Sequence, residues 1–272
     1  MTAERDESTS PPSVPVVDIN EDFYETEPYR YLDQRLANLV AVYGKGPELD
    51  ELLVEVKVGL VEYARSSADE GSADGDHRRF ATLEALVLLH HVSETLLRLY
   101  LAHRDLPPYP WRELTREVSF ASFKRKVNEL RPKLRRDTEV DHLNVAFHGV
   151  KDRSDFATNP SEKQWKAASD NLSRLLDHCA GVFLDASAYN AVKHGLALTP
   201  AGMATEVEID GRSIFSASGP SVQYLHRRKR DGNSRWELAR KWVDIDRSIG
   251  LAHVGCNLIR ALWISGERRY TD

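Results

Sequence analysis

SEKQWKAASDNLSRLLDHCAGVFLDASAYNAVKHGLAL, residues 161–198, is the stretch on which the reading of this chain turns. Trp165, Ala168, Leu172, Leu175, Cys179, Val182, Ala186 and Tyr189 recur at spacings of three and four, which puts them along one side of an α-helix. A seam of that kind is buried against other helices. Ser161 with Gln164 has the form of a capping box, in which the hydroxyl accepts from the third amide and the glutamine reaches back. The spacing therefore predicts one helix from Ser161 to Leu198, with Asn190, Lys193 and His194 in its last turn before Gly195.

Upstream, the pattern stays helical. The polar, proline-containing residues 1–19 read as a disordered tail. Helices are expected from Tyr29 to Tyr43, ending at Gly44 and Gly46, and from Pro47 to Ala64. The acidic segment SSADEGSADGDH (66–77) reads as a loop. Arg78 to His103 is the most apolar stretch, greasy on nearly every side and so expected at the centre of a bundle. Its Glu84, His90, His91, Glu94 and Arg98 would need partners there. Shorter helices are expected from Ser119 to Leu130, stopped by Pro132, and across 139–149, stopped by Gly149.

Downstream of Pro200 the period changes to two. Val207 and Ile209 precede Asp210-Gly211, Ile214 and Phe215 precede Gly219-Pro220, and Val222 and Tyr224 precede Asp231-Gly232. With Trp236 to Val243 these predict a four-strand antiparallel meander. Arg247 to Ile264 closes the chain as a helix. The expected class is α+β: a helical bundle over 20–198, then a small antiparallel β-meander and a C-terminal helix over 199–272.

Composition narrows the function classes. The chain has 272 residues, 41% hydrophobic and 29% charged, with a net charge of −5, which argues against a wholly basic nucleic-acid binder. Its two cysteines, Cys179 and Cys256, are too few for a disulfide framework. The start lacks the basic and apolar regions of a signal peptide, and no run of about 18 apolar residues appears. A cytoplasmic protein without a membrane span is the expectation, and no cofactor is called for by any phosphate loop, nucleophile elbow or HExxH pattern.

Three constellations can carry chemistry. In YNAVKHG (189–195), Asn190 and His194 share a helix face, with Lys193 beside them. An imidazole there can move a proton and a lysine can hold a phosphate; the same residues also suit a plain helix end before a C′ glycine. In HHVSETLLRLYLAH (90–103), Arg98 and His103 are five apart and diverge on a regular helix, while Glu94 and Arg98 are placed to pair. His91 with Glu94, and Glu139 with His142, have the spacing of carboxylate-bridged di-metal bundles, but no further carboxylates complete such a site. The third constellation is basic: Arg227, Arg228, Lys229 and Arg230 near Tyr224 and Trp236, and Lys124, Arg125 and Lys126 in a run that continues to Arg136. Either patch can contact phosphates or be a solvated surface.

YNAVKHG resembles the RNxxxHG-type motif of HEPN-domain proteins, helical bundles in which an arginine lies four to six residues before a histidine at a dimer cleft. Asn190, His194 and Gly195 match it, and Tyr189 stands where the family has arginine. The resemblance implies a homodimer that binds RNA, and a metal-independent ribonuclease of toxin or phage-defence type. In such an enzyme His194 is the acid or base, Asn190 orients it, and Lys193 or Arg98 steadies charge on the phosphate. Arg98 from the central helix would then have to meet His194 across the bundle. The competing expectation is a non-catalytic interaction or adaptor protein using the same cleft.

Overall fold

The computed structural model describes residues 16–52, 55–58, 61–64, 73–116, 119–193, 198–209, 212–230 and 233–271. In chain order these form α1 (Val16–Tyr24), α2 (Tyr29–Leu52), β1 (Glu55–Val58), β2 (Val61–Ala64), α3 (Ala73–His103) and α4 (Pro110–Arg116). There follow α5 (Phe120–Arg135), α6 (Val140–His148), α7 (Glu162–Leu184), α8 (Ser187–Lys193), β3 (Leu198–Ile209), β4 (Arg212–Arg230), β5 (Asn233–Trp242) and α9 (Ile245–Tyr270). The class is α+β, a helical bundle with small antiparallel sheets and a closing helix.

The bundle is arranged around α3, not around the 161–198 stretch. Leu88, Val92, Leu96, Leu97 and Tyr100 of α3 are wholly buried, as a helix apolar on all sides requires. Its Glu84, Glu94 and Arg98 are paired: Arg35 of α2 donates to Glu84, and Arg98 donates from Nε to Glu94 at 2.9 Å. α9 lies against it at van der Waals distance because two glycines make room. A Cβ on Gly255 would stand 2.4 Å from Val92 Cγ1, and one on Gly266 would stand 2.8 Å from His103 Nε2. Val92 to His103 and Gly255 to Gly266 are equal steps, so the two helices run parallel. α3 is also long and apolar enough to cross a membrane, with a mean hydropathy of 1.2 over its best window, yet half of that window is buried inside the bundle.

The expected single helix over 161–198 divides. Ser161 caps α7 through the full capping box, as its sequence requires, but the helix stops at Asp185, whose backbone (φ −87, ψ 61) leaves the helical region. The chain restarts as α8, so Asn190 and Lys193 belong to a separate short helix. The buried face of α7 keeps Leu172 and Cys179 of the apolar seam and is turned from the rest of it towards Ser169, Ser173, Leu176, Ala180 and Phe183. Both serines are satisfied there: Ser169 donates to Asn144 Oδ1 at 2.8 Å and Ser173 to the Leu134 carbonyl at 2.7 Å. A hydroxyl that finds an acceptor can enter a core.

Other expectations change for similar local reasons. In place of a helix across 47–64, α2 kinks at Lys45 and ends at Leu52, and β1 pairs with β2 from Glu55–Ala64 to Val58–Val61. Val56, Val58, Val61 and Tyr63 are β-branched or aromatic, which favours the extended chain. The tail loses its last residues to α1, and α3 begins at Ala73, inside the segment read as a loop. α5 runs past Pro132 to Arg135, with the proline on the exposed side. Gly149 ends α6 as expected, in the left-handed conformation (φ 79).

Among the described residues the C-terminal meander has three strands, in the order β3-β4-β5, not four. The pairs Ile209–Arg212 and Arg230–Asn233 flank the two expected hairpin turns. Gly219-Pro220 makes no turn: β4 runs through it paired with β3, which stays its neighbour as far as Tyr224, and from Ser221 β5 pairs along its other edge. Val222 and Tyr224 bury one face of this sheet on the bundle, and Leu225, Trp236 and Leu238 leave the other exposed.

Candidate functional site

α8 is fixed to the centre of the bundle by one side chain. The Tyr189 ring stacks on His90 of α3 with centroids 3.8 Å apart and planes at 11°, and meets His91 edge-on at 5.3 Å. The Tyr189 hydroxyl lies 2.8 Å from His91 Nε2, and Arg35 Nη1 lies 2.7 Å from His91 Nδ1. A guanidinium only donates, so Nδ1 accepts, and a neutral His91 carries its proton on Nε2 and donates it to Tyr189. Burial first, and the Arg35 charge second, hold His91 below its ordinary pKa, which keeps it neutral. The phenol therefore receives one hydrogen bond and keeps its own proton for another acceptor. Burial also raises its pKa, so it stays protonated.

With Tyr189 turned inward, Asn190 and Lys193 are exposed on the outer side of α8. Lys193 is close enough for its charge to depress His91. His194 and Gly195 lie outside the described residues.

Behind α8 a cleft of about 490 Å³ opens between α3, α7, β5 and the start of α9. Leu86, Leu89, Val182 and Val243 give it apolar walls, and Arg131, Arg174 and Lys241 bring positive charge to it. Arg131 and Arg135 both donate to Asp177, and Lys241 donates to Asp185 at 2.8 Å. Sequence reading missed this cleft because its cations come singly from α5, α7 and β5. No local motif announces them.

The remaining expected residues are dispersed. Arg98 lies two turns beyond His91, about 10 Å along the helix axis by rise per residue. Its guanidinium is bonded to Glu94 and lies 4.1 Å from the Phe123 ring centre. His103 is wholly buried on another side of α3: its Nδ1 donates to the Leu99 carbonyl at 2.7 Å, and Tyr24 donates to its Nε2 at 2.6 Å. Burial takes its pKa down to about 4. It is a neutral core residue that ties α3 to α1, and it diverges from Arg98 as the five-residue spacing dictates.

The pairs with metal-ligand spacing are engaged elsewhere. His91 is held by Arg35 and Tyr189, Glu94 by Arg98, and the buried Glu139 by Arg104 and by the Tyr100 hydroxyl at 2.9 Å. Among the described residues no three metal-binding side chains converge.

Of the basic patches, Lys124, Arg125 and Lys126 are consecutive on α5 and so fan around the helix rather than sharing a face. Arg227 is exposed on β4 directly opposite Trp236 of β5. Arg228, Lys229 and Arg230 continue the strand to the hairpin tip, and their side chains lie outside the described residues. Comparison with protein-family models, with curated proteins and with solved structures found no match. Geometry and residue chemistry are therefore what a functional reading rests on.

Proposed function

We propose that this chain is a HEPN-like, cytoplasmic RNA-binding protein that acts as a homodimer, with the outer side of α8 as its RNA contact. The observation carrying this reading is the anchoring of Tyr189 between His90 and His91, which leaves Asn190 and Lys193 of the YNAVKHG motif facing solvent on a rigid base. A phosphate beside α8 would meet the Lys193 ammonium and the spare proton of the Tyr189 hydroxyl. That hydroxyl can replace one hydrogen bond of the arginine that the resemblance expects, although not its charge. Arg227 beside Trp236 adds a cation and an aromatic face, the pair of groups that single-stranded RNA uses.

In the catalytic form of this reading the protein is a metal-independent ribonuclease of toxin or phage-defence type. His194 removes the proton of a ribose 2′-hydroxyl, whose oxygen attacks the adjacent phosphorus to form a 2′,3′-cyclic phosphate and displaces the 5′-oxygen, which leaves as a hydroxyl with a proton from water. Lys193 steadies the charge that gathers on the phosphoryl oxygens. The test is cleavage of varied single-stranded RNAs in EDTA. The expected result is cleavage by the wild type and loss of cleavage in His194→Ala at unchanged folding. One observation favours a non-catalytic binding or adaptor role instead: Tyr189 is engaged on its face and at its hydroxyl as a structural residue would be. A folded wild type that binds RNA but leaves every RNA intact would select that second reading.

A further inference from the structure

The cleft behind α8 shares His90 and Tyr189 with the base of the RNA reading, but its other residues ask for a different ligand. We propose that it is a binding site for a small organic anion, a molecule with one acidic head, a flat apolar body and a hydrogen-bond donor between them. Its volume of about 490 Å³ falls in the range of small-molecule pockets, about 300–1,000 Å³. Leu86, Leu89, Val182 and Val243 would take the apolar body.

The head belongs with Arg174 and Arg131. Asp185 neutralises Lys241, and Asp177 is shared between Arg131 and Arg135. Arg174 has no counter-ion among the described residues, so the cleft carries surplus positive charge. Arg131 is laid across α7 where Gly181 lacks a side chain: a Cβ there would stand 3.0 Å from its Nη2. A side chain at position 181 would make that guanidinium give by a few tenths of an ångström.

His90 supplies the third requirement. It is 2% exposed, it lines the cleft, and its Nε2 has no hydrogen-bond partner. An unpaired buried ring nitrogen costs about 1–3 kcal/mol, and such atoms in native proteins usually have a reason. The backbone of Val182 faces the same ring, and burial keeps the ring neutral. With its proton towards Val182, the ring leaves a lone pair on the covered Nε2, which an N–H or O–H of the ligand reaches by displacing the groups in front of it.

The probe 1-anilinonaphthalene-8-sulfonate has all three features: a sulfonate, a flat ring system and a bridging N–H. Fluorescence titration of the full chain at pH 7 is expected to give one saturable site. Arg174→Glu, an exposed change that leaves the fold intact, is expected to weaken it at least ten-fold. His90→Phe is expected to weaken it several-fold while raising the midpoint of thermal unfolding, a combination that simple damage to the fold would not produce. Trp236→Ser, on the exposed apolar sheet face, should leave the titration unchanged. Loss of binding in Trp236→Ser with retention in Arg174→Glu, or the absence of a saturable phase, would overturn the proposal.

Discussion

Single residues set how this protein responds to acid. His90 and His103 are buried, and both are held down to about 4 from the ordinary 6.5, chiefly by desolvation. Between those values the unfolded chain binds protons that the native chain refuses. The stability is complete above pH 6.5 and falls as pH drops towards 4, by up to about 1.4 kcal/mol per pH unit for each histidine. Burial lowers His148 and His178 as well, which adds to the same trend. Urea unfolding at intervals from pH 7 to 4 should show a midpoint that declines steadily, and a flat profile would contradict the burial of these rings. Arg104 is a second residue with a large effect. Its Nη2 donates to Glu139 Oε2 at 3.1 Å, and the Glu139 side chain is 1% exposed. Arg104→Met would strand that carboxylate, at a cost of about 3–5 kcal/mol, readable in the same urea experiment. If the loss were a few tenths, Glu139 would have to reach water.

At the level of helices and strands, the contact between α3 and α9 limits what α9 can carry. Gly266→Ala would place a methyl group 2.5 Å from the Tyr24 hydroxyl and between it and His103, at a cost of about 1–3 kcal/mol. Gly250→Ala, on the exposed side of α9 with nothing within 4 Å, should stabilise by up to about 1 kcal/mol through helix propensity. Thermal unfolding of the two variants should therefore move in opposite directions. If both stabilise, the helices are further apart than described. This contact was not legible in the sequence, where Gly255 and Gly266 look alike with Gly250. The central place of α3, the capping box of α7 and the two Asp-Gly hairpins were legible, because each depends on residues a few positions apart. What misled were local signals overruled from a distance. The apolar seam ran on past Asp185 although the backbone turned there. Pro132 and Gly219-Pro220 looked like stops, yet one sits on an exposed helix side and the other inside a strand paired with β3 on both sides of it.

For the whole molecule, the net charge of −5 means that the proposed RNA contact has to rest on local cations rather than on the overall field. The tip of α8 was the part of the site that could be read from sequence, since Asn190, Lys193 and His194 are neighbours in one motif. The base beneath it could not be read, because His90, His91 and Arg35 reach Tyr189 from two other helices. The central claim is that this base presents the tip of α8 to RNA. Its most direct test is equilibrium binding of a fluorescent single-stranded RNA to the wild type and to Asn190→Ala/Lys193→Glu across a salt series. Both substitutions are on exposed side chains and leave the core intact. The account predicts saturable binding by the wild type, a loss of ten-fold or more in the double variant, and a shallower salt slope as phosphate contacts are removed. No binding by the folded wild type, or equal binding by both proteins, would contradict it.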